Sequence, residues 1–254
     1  MNMRSFSVFV LETKSFVTNS SALFWTAFYP VMMLVFLVVL FDPGDETSAD
    51  FRFASVIGLT MLTLISTAIF GLAQALGESR AHNGLLFYAA APMSYFDIAM
   101  AIVLSRMAII IGFSVLFITA SLFVLGLSYM LSWMMLLLGI VALGLASMFC
   151  FGLALMVARY CQNTQTMLAI ANIVNIYALM SSNVFVPLSA LPDWSRAFIT
   201  TSPFFHLNNM LLGTFSGVNL PYVFAIGSTL CLLGLLLVWL ASERSLFIAE
   251  GRAR

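Results

Sequence analysis

The chain has 254 residues and no formal net charge; 62% of its residues are hydrophobic and only 8% are charged. Soluble domains carry about 25% charged residues, so a soluble fold is excluded, as is a basic or acidic surface built for nucleic acid. The composition is that of an all-α integral membrane protein.

Residues 1–20 set Arg4, Glu12 and Lys14 among Phe6, Phe9, Val10, Phe16 and Val17. The apolar steps of three and four suit a helix lying in the headgroup layer; the alternative is a solvated, partly ordered tail. Residues 22–41 then form the first predicted span. The run is about 20 residues, too long for a secretory signal and with no small-residue cleavage site after it, yet sufficient for a hydrocarbon core of about 30 Å. Trp25 and Tyr29 suit an interfacial belt, and Pro30 is placed to kink the helix.

An acidic loop (Asp42, Asp45, Glu46, Asp50, Arg52) leads to a second span over 54–75. There Thr60, Thr63, Thr67, Phe70 and Gln74 share one helical face. Such a polar stripe faces protein or water, or its hydroxyls bond back to their own helix.

Residues 77–97 break the apolar pattern with Glu78, Arg80, His82 and Asp97, then Asn83-Gly84 and Ala91-Pro92. An ionised side chain at mid-bilayer costs roughly 2.5–3.5 kcal/mol or more, so this stretch belongs in water at the membrane face. Its apolar centre, 85–91, predicts a short amphipathic helix closed by Pro92, an element able to dock.

A third span follows over 99–126, in which Arg106 either snorkels to the interface or marks a buried pair. The fourth, 131–157, carries a small-residue stripe: Ala142, Ala146, Cys150, Ala154 and, just beyond, Ala158. That spacing permits close helix packing. The fifth, 167–186, aligns Asn172, Asn175, Ser182 and Asn183 on one face. Amides cost more than hydroxyls to bury unpaired, so this is the stronger of the two polar stripes. Residues 187–217 hold three prolines and apolar pieces too short to span, the pattern of a segment dipping partway into the bilayer. The sixth span covers 222–241. An even number of spans puts both termini on one side. With them lie Arg4, Lys14, Arg80, Arg159, Arg244, Arg252 and Arg254, against Arg52 and Arg196 opposite, so the termini are expected in the cytoplasm.

Catalytic signatures do not appear. There is no P-loop, GxSxG elbow or HExxH pair. His82 and His206 fall on opposite membrane faces in this topology. Cys150, Cys161 and Cys231 form neither a CxxC pair nor a Cys/His cluster. No repeat of fixed period supports an inverted-repeat carrier.

Several local motifs resemble those of the permease subunit of ABC-2 type ABC exporters. Trp25 and Pro30 match its aromatic-then-proline entry to span one. Glu78, Arg80, Gly84, Leu85 and Pro92-Met93-Ser94 resemble its E-x-R-x(3)-G-x(6–7)-P-[MLV]-S pattern. Pro187-Leu188-Ser189, Leu191-Pro192, Trp194, Pro203 and His206 resemble P-x(3)-LP-x-W-x(8)-P-x(2)-H. A nearly lysine-free cytoplasmic face departs from the family.

The resemblance implies one transmembrane domain over residues 1–254. It would have six transmembrane helices, an N-terminal interfacial helix, a cytoplasmic coupling helix between spans two and three, and a re-entrant hairpin before span six. Glu78, Arg80, Gly84, Leu85, Leu86, Phe87 and Pro92 would couple to the ATPase. Thr60, Thr63, Thr67, Gln74, Asn172, Asn175, Ser182 and Asn183 would line or flank the path, and Pro187, Pro192, Trp194, Pro203 and His206 would shape the re-entrant segment. The implied partners are two copies of an ABC ATP-binding subunit that bind ATP and Mg²⁺, a second permease subunit, and lipid. The chain itself would bind no cofactor. A drug, lipid or glycolipid is the expected cargo; a stand-alone carrier or channel is the alternative.

Overall fold

In a bilayer each backbone N–H and C=O must be satisfied within its own segment, which leaves helices as the natural answer to long apolar runs. The computed structural model describes residues 3–18, 20–42, 44, 47–81, 93–161, 163–184 and 192–242. Helix α1 covers Met3–Val17 and α2 Ser20–Leu23. A π turn, Phe24–Phe28, joins α2 to α3, Tyr29–Phe41. Pro30 has no N–H for the carbonyl four residues back. Just before it the helix widens, with the Tyr29 N–H donating to the Phe24 carbonyl. The distortion expected at Pro30 takes this form.

Helix α4, Ser48–Ser66, passes through a second π segment, Thr67–Ala73, into α5, Gln74–Ala81. Next come α6, Tyr95–Val124, and α7, Trp133–Tyr160, then α8, Thr164–Ser181. Two shorter helices, α9 (Asp193–Thr200) and α10 (Pro203–Ser216), precede α11, Leu220–Ala241. The starts are written in the sequence as side-chain caps. Ser94 accepts from the Asp97 N–H, Ser132 from Met135, Asn163 from Gln165 and Ser202 from Phe204. Gly217, at φ +73°, ends α10 in the left-handed conformation that glycine adopts without penalty.

Among the described residues, four helices are long and apolar enough to cross a membrane: Ser48–Gly77, Tyr95–Val124, Trp133–Tyr160 and Leu220–Ala241. They match the second, third, fourth and sixth predicted spans. The first and fifth correspond to shorter apolar helices, Thr26–Phe41 and Gln165–Ser181. The predicted docking helix at 85–91, with Gly84, Leu85, Leu86, Phe87 and Pro92, lies outside the described residues, as does Pro187.

The centre of the bundle is span two. In its apolar window 89% of residues are buried, against 22% for Leu220–Ala241. A helix that is apolar all round is a core helix, and Val56 through Ser66 are buried without a break. Beside it, α7 and α11 touch backbone to backbone. A Cβ added at Gly152 would stand 2.6 Å from the Gly234 carbonyl oxygen, and one at Gly234 would stand 2.7 Å from the Met148–Phe149 peptide. The stripe Ala142, Ala146, Cys150, Ala154, Ala158 is wholly buried, as its small residues predict.

Candidate functional site

The two polar stripes meet different fates. On span two, the Thr60 hydroxyl donates to the Val56 carbonyl and Thr63 to Leu59, each at 2.8 Å and each buried. Thr67 sits in the second π segment and shares a 3.1 Å hydrogen bond with Thr26 of the first. Gln74 lies on α5, and its side chain is outside the described set.

On α8, the Asn175 carbonyl oxygen accepts a 2.9 Å bond from the Ser66 hydroxyl, tying this helix to span two. Asn172, three residues earlier, is exposed, its amide donating to the Leu168 carbonyl of its own helix. Ile173, Ile176 and Met180 are exposed on the same side of α8, so one amide and three apolar residues form an open face. At the helix end, buried Ser182 donates back to Leu179, and Ser202 donates to the Ser181 hydroxyl at 2.8 Å. Asn183 adopts φ +59°, with its side-chain oxygen buried and without a hydrogen-bond partner.

The segment before α11 packs inward. Pro192 caps α9, and Pro203 occupies the first turn of α10, where a missing N–H costs nothing. Phe204 is buried edge-on against Phe149 of α7 and Tyr177 of α8, and Phe215 fills the space above Gly139. Trp194, in contrast, is 78% exposed. His206 meets Phe205 edge-on and borders a cavity of about 410 Å³ with Asn209 and Tyr222. Among the described residues, no three His, Cys, Asp or Glu side chains are grouped to hold a metal.

Of the predicted coupling residues, Arg80 is the one whose side chain is described, since that of Glu78 is not. Arg80 is only 7% exposed and turns inward. Its guanidinium donates to the Ala158 carbonyl at 2.9 Å and to the Cys161 carbonyl at 3.4 Å, at the end of α7. Burial lowers its pKa, and the nearby Cys161 raises it; a guanidinium starts high enough to stay charged. In the same last turn of α7, Arg159 donates to the Leu240 carbonyl in the last turn of α11 and lies over the Tyr160 ring at 5.3 Å.

Arg106 resolves to the buried pair rather than the snorkel. It is 4% exposed, donates to Glu12 of α1 at 2.7 Å, and lies 4.9 Å from the centre of the Phe16 ring. Helix α1 thus turns its acid inward, while Phe6, Val10 and Val17 face out. Glu12 shares a face with Phe9 and Phe16. A lone acid in an apolar stripe and a lone arginine in an apolar span are a signal that could have paired them in the sequence.

The chain is a multi-pass helical membrane protein. It belongs to the ABC-2 type transporter family, whose model matches residues 6–216. No curated protein matches alongside it. Membership makes the chain a transport component, the membrane permease of an ABC system and not its catalytic ATPase. Permeases of this family typically work with ATP-binding subunits.

Proposed function

We propose that the chain is one permease subunit of an ATP-driven exporter in a bacterial inner membrane, with six spans and both termini in the cytoplasm. Two permease copies, identical or paralogous, enclose the path. Two copies of a separate ATP-binding subunit, which hold ATP and Mg²⁺, press on residues 77–97 from the cytoplasm. The observation that carries this reading is the family match from α1 through α10, in a sequence without a P-loop. ATP-driven closure of the partners acts as a population shift, favouring one permease state over another by a few kcal/mol.

The open face of α8 supports a place for the path. Asn172 with Ile173, Ile176 and Met180 offers one amide amid apolar surface, which suits an amphipathic cargo such as a drug, lipid or glycolipid. Thr60, Thr63 and Thr67 then stand behind the path as its scaffold. The segment holding Pro187, Pro192, Trp194, Pro203 and His206 forms the re-entrant hairpin at the outer side.

The test is reconstitution in vesicles. Transport should require both the ATP-binding subunit and ATP, and Phe87→Asp should abolish transport and ATPase retention while the permease still inserts. Uptake by the permease alone, driven by an ion gradient, would establish a stand-alone carrier instead.

A further inference from the structure

Three helices of this bundle run in the same sense and end at the face assigned above to the cytoplasm: span two through α5, then α7 and α11. A helix C-terminus leaves up to four carbonyls without partners inside the helix, and the macrodipole makes that end negative. Two of these ends are closed by an arginine from a neighbour. Arg80, at the end of α5, donates to Ala158 and Cys161 of α7. Arg159, in the last turn of α7, donates to Leu240 of α11. The two arginines make a chain of contacts from span two to span four to span six. Farther up, the Gly152–Gly234 approach leaves α7 and α11 no room to slide apart without losing backbone contact.

Arg80 lies within residues 77–97, the stretch on which the ATPase is proposed to press, so a push there bears on it directly. Charge-assisted hydrogen bonds to two carbonyls at once fix direction as well as distance, so a displacement of α5 carries the end of α7, and Arg159 carries α11 with it. Helix α6 is joined to α1 by the Glu12–Arg106 pair and also packs against α4 and α7, without an arginine bridge of this kind among the hydrogen bonds described above.

We infer that Arg80 and Arg159 are positioning residues that join the cytoplasmic ends of spans two, four and six into one body, so that the ATPase stroke moves all three together. This rests on the exporter reading, and the experiment separates the two. In the reconstituted complex, Arg159→Gln, which lies outside the stretch on which the ATPase is proposed to press, should keep the ATP-binding subunit and its hydrolysis, and transport per ATP is read in Arg159→Gln and Arg80→Gln alike. Transport per ATP should fall about tenfold, the size expected for a lost hydrogen bond to a charged group. Arg80→Lys should recover part of the loss. Arg80→Gln with Arg159→Gln should be no worse than Arg80→Gln alone, because the contacts act in series.

A second measurement leaves the arginines intact. Spin labels at Ser79, Tyr160 and Ser242 should keep their mutual distances between the ATP-free and ATP-trapped states, while the distance from Tyr160 to a label at Phe96 on α6 changes. Unchanged transport per ATP in Arg80→Gln, or a nucleotide-dependent change among the first three labels, would overturn the relay with the exporter reading intact. Failure of the ATP-binding subunit to associate with the wild-type permease would remove both.

Discussion

The threonine stripe of span two and the amide stripe of α8 look alike in sequence, and the structure treats them oppositely. Thr60 and Thr63 are buried and bonded to carbonyls of their own helix. A hydroxyl can do this at i−4 with little disturbance, so Thr60 and Thr63 sit in the middle of the protein on carbonyls of their own helix, while Thr67 reaches Thr26. An amide is larger and has two donors and an acceptor to satisfy. Asn175 needs Ser66 on another helix, and Asn172 is left at the surface. Equal periodicity therefore carries unequal information: hydroxyls mark a polar stripe that a core tolerates, whereas amides mark a contact or an opening.

The sharpest way to break the closed side is at its buried charges. Arg106→Gln removes the guanidinium that donates to the buried Glu12 carboxylate. Removing one partner of a buried pair costs about 3–5 kcal/mol, so inserted, folded protein should nearly vanish in a detergent unfolding assay. Glu12→Gln together with Arg106→Gln should restore most of it. Next is Gly234→Ala, whose added Cβ meets backbone that cannot turn aside. Overpacking of this kind costs typically 1–3 kcal/mol, read as a lower unfolding temperature without a change in oligomer.

The stripes themselves should then separate. Asn175→Leu should cost roughly 0.6–2 kcal/mol as the Ser66 contact is lost. Thr63→Val should cost only about 0.5–1.5 kcal/mol and leave transport unchanged. Asn172→Leu should leave stability and ATPase assembly intact but impair transport.

The smallest effect lies in the loop above span two. The Ser48 hydroxyl, and with it the Arg52 guanidinium and the Gly44 N–H, hold the Asp42 carboxyl below the usual carboxylate range. A carboxyl depressed in the fold adds stability that is present above its ordinary pKa and lost as pH falls through the depressed value. Wild type and Asp42→Asn should therefore differ slightly in unfolding temperature at neutral pH and converge in acid.

Much of the helix map was legible because membrane spans are long and their caps are local. Ser94, Ser132 and Asn163 sit where helices begin, and the four longest spans fall within a few residues of the apolar runs. Partners were less legible. Arg80 meets Ala158 across 78 residues, and nothing local names a carbonyl at the end of another helix; the Arg106–Glu12 pair, across 94 residues, left as its trace a lone arginine and a lone acid in apolar helices. Arg80 was expected to couple to the ATPase; the structure adds contacts of its own to Ala158 and Cys161. The Gly152–Gly234 approach was hidden as well, since two glycines gain meaning only once their helices are side by side.

The division between scaffold and path is tested most directly by a polar thiol reagent acting on the reconstituted complex, with the three native cysteines replaced. Cysteine placed at Asn172 should react rapidly and form a crosslink between two permease copies, while cysteine at Thr63 stays protected. Equal reactivity at both positions, or reaction at 63 with protection at 172, would contradict a path along α8 with span two as its scaffold.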